Sequence, residues 1–279
     1  MFMAVSNVRQ DLDRPPISPF YFGVENRRLF GCHHAPQSVP ARSCGVVLCY
    51  PMGHEYVSSH RAYRLLAMRL SGVGFHVLRF DYFGCGDSNG ASEEGGIRQW
   101  LDDVSTAVEE LRRKAASARI ALVGCRLGAA LAALAGCERG DIESMVLWDP
   151  VVRGQDHLDE LRRRHDAMLR RVHVKTRPAG MGEGATEILG FPITQRIATD
   201  LDAIDLLEMA RSPATHILLI KSDASAEGLQ SRLSTLGACV EHRRFQSPGA
   251  WAWIEDPEKV LVPAPIVQGV VAWLSEVER

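Results

Sequence analysis

Apolar residues along this chain fall into two rhythms. Short, nearly continuous apolar runs occur at 44–50 (CGVVLCY), 120–123, 144–148 (SMVLW) and 216–220 (HILLI), and the mixed segments 75–82 and 239–245 are expected to be strands beside them. Runs of that length bounded by turn residues predict buried strands. Between them, apolar positions recur at helical spacing over 60–70, 100–115, 126–137, 226–236 and 265–277. In 100–115 the apolar stripe is Leu101, Val104, Val108 and Leu111, and Gly72 and Gly74 close the helix predicted before them. Near the start, 20–30 (FYFGVENRRLF) places a polar Glu25-Asn26 pair between apolar runs, which predicts a hairpin.

Strands that alternate with helices at this spacing predict an α/β protein, with a mostly parallel, doubly wound sheet and right-handed crossovers. The rhythm breaks at 151–211. That stretch holds an amphipathic, strongly basic helix (158–172), a glycine-rich link (178–184) and a second helical stretch (197–209). An insertion there is expected to lie over the carboxyl edge of the sheet as a helical lid. The expected organisation is an N-terminal arm at 1–19, a core at 20–150 and 212–279, and the lid at 151–211.

Composition narrows the function. With 46% hydrophobic and 24% charged residues and a net charge of −2, the chain reads as an ordinary globule, with no global pull toward nucleic acid or an anionic membrane. No apolar run approaches the ~20 residues that a membrane-spanning helix needs. The 7 cysteines never form a Cys-x-x-Cys pair, which argues for reduced thiols in the cytoplasm and against a zinc site. No metal or other cofactor is expected.

Candidate chemistry centres on 119–130, RIALVGCRLGAA: a short strand, a tight turn, then a helix rich in small residues. A strand that doubles back into a helix needs small residues two before and two after its apex. Gly124 and Gly128 meet that need and put Arg126 at the apex. Centring the turn on Cys125 would require Val123 and Leu127 to serve as the small residues. Taken in order, the strand ending at Pro51-Met52-Gly53-His54, the segment Arg79-Phe80-Asp81-Tyr82-Phe83-Gly84-Cys85-Gly86-Asp87-Ser88 and Gly124-Cys125-Arg126-Leu127-Gly128 resemble the α/β-hydrolase superfamily. The likeness is greatest to bacterial serine-aminopeptidase-like and exosortase-associated hydrolases, and it runs from about Phe20 to the C-terminus.

The resemblance implies the α/β-hydrolase fold, with Arg126 where the nucleophilic serine stands. It implies an oxyanion-hole amide from the loop Met52-Gly53-His54 and another from Leu127, with Asp223 at the position of the catalytic acid. A catalytic histidine is expected within 246–253, yet 246–258 reads QSPGAWAWIEDPE. Serine and histidine act as one device in protease triads, and deleting either costs ~10⁶ in turnover. The resemblance therefore implies a degenerate triad. It leaves two functional classes open. One is an enzyme, a non-standard hydrolase or acyltransferase, acting on an acyl, ester or carboxylate small molecule through the inherited hole. The other is a catalytically silent descendant that binds an anionic acyl ligand or a partner protein.

Individual residues carry alternatives. The Arg126 cation opposes a helix dipole, so it calls for a carboxylate, either from Asp149 or Asp223 at neighbouring strand ends or from an anionic ligand. Cys125 reads either as a thiol activated by a helix N-terminus or as a buried structural thiol. Cys85 raises the same question more weakly. His54 is the histidine expected in the pocket, where with Glu55 it could do acid–base work or only shape its loop. Met52, Gly53, His54, Cys85, Arg126, Leu127, Asp149 and Asp223 are expected to line one site under the lid. Trp251 and Trp253 suit a wall for an acyl chain or core filler. The arginines at 162–164 and 170–171 read as a solvated face or as a landing point for an acyl-carrier partner.

Overall fold

A computed structural model describes residues 17–38, 40–117, 119–172, 185–221, 227–245 and 262–279. Among these residues ten strands and seven α-helices follow in order: β1 (Ile17–Val24), β2 (Arg27–His34), β3 (Cys44–Cys49), α1 (His54–Gly72), β4 (His76–Phe80), α2 (Ile97–Ala115), β5 (Arg119–Cys125), α3 (Leu127–Arg139) and β6 (Ser144–Trp148). Then come α4 (Gly154–Val172), β7 (Ala185–Ile188), β8 (Phe191–Thr194), α5 (Gln195–Asp202), β9 (His216–Lys221), α6 (Glu227–Thr235), β10 (Cys239–Arg244) and α7 (Ala264–Val277).

Eight strands form one sheet in the order β1-β2-β4-β3-β5-β6-β9-β10. β1 and β2 are an antiparallel hairpin that turns at Glu25-Asn26, and β2 pairs antiparallel with β4. Every other pairing in the sheet is parallel. β3 and β6 are buried at every position, as expected for strands covered on both faces. Helix α1 packs with α7 and α2 with α3. The fold is the α/β architecture expected, and the C-terminal ends of β3, β5 and β6 meet at one sheet edge.

Three local expectations change. Helix α1 begins at His54 rather than near 60, because Gly53 (φ 62°) turns the chain directly into it. Its first turns bury Glu55 and Ser59, polar residues that hide the apolar period. The stretch after the glycine-rich link forms the β7–β8 hairpin, turning at Leu189 and Gly190 with φ of 53° and 85°. The helix expected over 197–209 is α5 plus a separate 3-10 turn at Leu206–Glu208. Side chains set these boundaries: Thr194 caps α5 by accepting from the Ile197 N–H, and Asp205 accepts from the Leu207 N–H. Residues 17–19 of the expected arm belong to β1, and 1–16 lie outside the described residues.

The glycines beside the apex justify themselves sterically. A Cβ on Gly128 would overlap the carbonyl oxygens of Cys49 and Tyr50, and one on Gly124 would overlap the backbone of Gly128 and Ala129. Gly128→Ala should therefore lower stability by about 3 kcal/mol or more, the upper end of overpacking costs. Gly190→Ala meets nothing within 4 Å and should lose only about 1 kcal/mol, from its positive φ. Urea midpoints of the two variants would check this, and equal losses would contradict it.

Candidate functional site

The apex of the β5–α3 turn is Arg126, held at φ 54° and ψ −123°. A left-handed conformation costs a non-glycine residue roughly 1–2 kcal/mol, so surrounding bonds must over-determine it. They do. The Arg126 N–H donates to the Trp148 carbonyl at 2.9 Å, and its own carbonyl accepts from Ala129, Ala130 and Val151. Asp149, at the end of β6, is also left-handed (φ 42°) and donates its N–H to Ile220 at 2.8 Å.

The Arg126 side chain is buried in a cluster drawn from three elements. Its Nε donates to Glu55 Oε1 at 3.0 Å, from the first turn of α1. Its Nη2 donates to Glu160 Oε2 and lies 3.3 Å from His157 Nδ1, both on α4. The other oxygen of Glu160 accepts from Arg164. The row Glu55–Arg126–Glu160–Arg164 thus alternates in sign and ties the start of α1 to the elbow and to α4.

Burial and charge compete within the cluster. Burial pushes the Glu55 carboxyl up, against the pull of Arg126, to about 7. Burial and the nearby arginines hold His54 down to about 4 and His157 well below its ordinary value, so both rings are neutral. Burial would lower the Arg126 guanidinium, but Glu55 and Glu160 more than offset it and keep the cation charged.

Among the described residues the carboxylates that answer Arg126 are thus Glu55 and Glu160 rather than Asp149, one of the two expected alternatives. Asp149 is buried at the same sheet edge, while Asp223 and 246–253 lie outside the described residues. Glu55 reaches the apex because α1 starts six residues earlier than its apolar period indicates. Glu160 reaches it because α4 crosses above the elbow, whereas on a helical wheel it belongs to the solvated face.

Beside the cluster lies a cavity of about 240 Å³. Met52, Gly53, Tyr56, Cys85, Trp100 and Phe191 line it, and among the described residues no lining side chain is charged. Its walls are fixed from behind: the Tyr56 hydroxyl donates to Asp81 at 2.9 Å, and Trp100 Nε1 donates to the Phe83 carbonyl at 3.0 Å. The β7–β8 hairpin reaches over from the other side, placing Phe191 against Gly53.

The single expected pocket is therefore divided. Met52, Gly53 and Cys85 face the apolar cavity, and burial raises the Cys85 thiol to about 12. His54 and Arg126 belong to the ion cluster. Leu127 and Cys125 are fully buried. Burial, with Asp149 and Glu55 nearby, drives the Cys125 thiol well above its ordinary value. That is the chemistry of a packing thiol, and it corrects the nucleophile reading of Cys125. Glu160, His157, Tyr56, Trp100 and Phe191 were absent from the sequence-derived site, and only Glu55 was paired with a candidate.

Comparison with known proteins places these features in a family context. Residues 45–204 match a family model described as "Serine aminopeptidase, S33". Among solved structures, the ferulic-acid-bound Est1E of Butyrivibrio proteoclasticus superposes with a TM-score of 0.65 at 15% identity, over 92% of this chain and 98% of that one. The esterase PF2001 of Pyrococcus furiosus gives 0.64 at 17% identity, over 95% and 92%. A thermostable carboxyl esterase of Bacillus coagulans gives 0.65 at 14%, over 94% and 99%. At these identities the likeness establishes the fold. No curated protein sequence matches the chain. Among the described residues no helix is long and apolar enough to cross a membrane.

The cluster makes a quantitative demand. Arg126→Met strands Glu55, which is 1% exposed, without its cation, and should cost about 3–5 kcal/mol at pH 8. Glu55 already has a folded-state value above its ordinary 4.5, and losing Arg126 removes what lowers it. The variant's value therefore lies above the wild-type value of about 7, so the deficit relative to wild type should shrink as pH falls toward about 7 and level off below it, where the carboxyl is protonated in both folded proteins. Adding Glu55→Gln should recover part of the loss at pH 8. Urea unfolding at several pH values reads this out, and a deficit that grows on acidification would contradict it.

Proposed function

The chain belongs to the serine aminopeptidase S33 family of α/β-hydrolases, and from that premise we propose a member that no longer runs serine hydrolysis and uses its pocket to hold an uncharged acyl-type group. The observation that carries this reading is the state of Arg126. It occupies the apex that a nucleophilic serine would take, and two carboxylates already neutralise it. A ligand carboxylate has no cation left to answer there. The absence of histidine from 246–258 points the same way.

The neighbouring cavity supplies a place for the ligand. An apolar cavity of ~150 Å³ accepts benzene. By that scale 240 Å³ suits roughly ten non-hydrogen atoms, about a medium acyl chain or a substituted ring. In this reading the amides at Met52 and Leu127 persist as an inherited oxyanion hole beside the cavity. Residues 151–211 act as a lid that carries Phe191 onto the ligand and is fastened by Glu160. All 7 cysteines are free, which supports placement in the cytoplasm.

One observation favours an enzymatic alternative. Glu55 Oε2 is buried and has no hydrogen-bond partner among the described residues, and its carboxyl titrates near neutrality. Such a group could move a proton for an acyl or ester substrate without a serine. In that case p-nitrophenyl octanoate would turn over, with a pH dependence abolished in Glu55→Gln.

Two measurements decide the main reading. A fluorophosphonate probe should leave the protein unlabelled, because Arg126 stands at the apex where the elbow serine would be; stoichiometric labelling would overturn the proposal. In thermal unfolding, 1-octanol should stabilise at least as well as octanoate, by about 1.4 kcal/mol at ten times its Kd. Stabilisation by octanoate alone would show a cation available to the ligand, and the neutral-ligand reading would fall.

A further inference from the structure

We propose that the cavity selects a planar aromatic ring, so that the group it holds is an arylalkyl or aromatic acyl group rather than a flexible aliphatic chain. The inference rests on the neutral-ligand reading of the cavity and adds the chemical class of the ligand. Four of the 15 described lining residues are aromatic, Tyr56, Tyr82, Trp100 and Phe191, against 7% of the chain. Met52 and Cys85 add two sulfur atoms to the same lining. A bound ring meets such a wall with edge-to-face and sulfur–ring contacts that a saturated chain of equal size cannot make.

The aromatic walls are held from behind before any ligand arrives. Tyr56 stands in the first turn of α1, and its hydroxyl donates to Asp81 Oδ1 at 2.9 Å. The other oxygen of Asp81 accepts the Asp87 N–H at 3.1 Å, which ties that carboxylate to its loop. Trp100, on α2, spends its indole N–H on the Phe83 carbonyl. The Tyr82 ring packs against those of Phe80 and Trp100, with centroids 5.0 and 5.8 Å away, and both Tyr82 and Trp100 are buried. From the opposite side the β7–β8 hairpin sets the Phe191 ring against Gly53.

Rigid walls discriminate by the freedom of what they hold. An alkyl chain surrenders several rotamers to take up one shape, whereas a ring arrives already ordered. Val57, which also lines the cavity, is 63% exposed, so a short arm beyond the ring can leave toward the surface. Aromatic walls also attract ammonium groups. Among the described residues no lining side chain is charged, so a cation would be stripped of water here without a carboxylate to answer it. The rings are left to meet a neutral ring.

The test titrates the full chain with 3-phenyl-1-propanol, 3-cyclohexyl-1-propanol and 1-nonanol, neutral alcohols matched in carbon count. The two saturated alcohols are the more apolar, so transfer from water alone would favour them. The phenyl alcohol should nevertheless bind about fivefold more tightly than either. Phe191→Leu keeps an apolar side chain on the hairpin but removes one ring, and should cut that preference to about twofold while leaving the saturated alcohols nearly unaffected. Equal or tighter binding of a saturated alcohol would overturn the aromatic inference and leave the neutral acyl reading standing. A phenyl preference unmoved by Phe191→Leu would place the site elsewhere and also overturn it. Tighter binding of choline than of any alcohol, or no binding of any alcohol, would overturn both.

Discussion

A guanidinium cannot give up its proton inside a protein, and Arg126 is a guanidinium buried at a tightly packed turn of the fold. Its charge has to be met by neighbours, and the neighbours come from far along the chain. Glu55 enters with the first turn of α1 and Glu160 with α4. A buried ion pair of this kind is weak evidence of net stabilisation, because desolvation consumes most of the Coulomb gain. Its strength is positional. With Arg126 fixed by its backbone bonds, Glu55 on α1 and Glu160 on α4 both bring a carboxylate to its charge.

That constraint shapes the chemistry available at the sheet edge. In a serine hydrolase the space above the elbow holds a nucleophile and its base. Among the described residues, the same space here holds a cation, two carboxylates and two neutral histidines. On the proposed reading, the ligand's place is the apolar volume to one side, between the Met52-Gly53 turn, Trp100 and the β7–β8 hairpin. Charge chemistry and ligand space are separated by a few residues of backbone, the turn at Gly53 marking the boundary: Met52 faces the cavity and Glu55 the cluster.

The segment at 151–211 has two jobs in this arrangement. Its helix α4 completes the cluster from above through His157 and Glu160, and its hairpin closes the cavity through Phe191. His165 couples the two by holding the hairpin turn. Helix α4 therefore touches both Arg126, through Glu160, and the turn of the hairpin that carries Phe191, through His165.

Much of the fold was legible in the amino-acid order. Short apolar runs marked β3, β5, β6 and β9, Glu25-Asn26 marked the hairpin, and Gly124 and Gly128 placed Arg126 at the apex, because each reports a local requirement of burial or steric room. The same local logic established that the apex charge needed carboxylates. It could not choose them. Glu55 was hidden in a helix start whose polar residues break the apolar period, and Glu160 looked like one more charge on a solvated face. The hairpin that roofs the cavity had no alternating pattern to announce it. Which carboxylate reaches Arg126 depends on how α1 and α4 cross the sheet edge, and that crossing is set by packing among residues as far apart as 55 and 160. Local sequence specifies what a buried group requires, whereas only the assembled tertiary structure, with its shared volume and low dielectric, decides which distant partner supplies it.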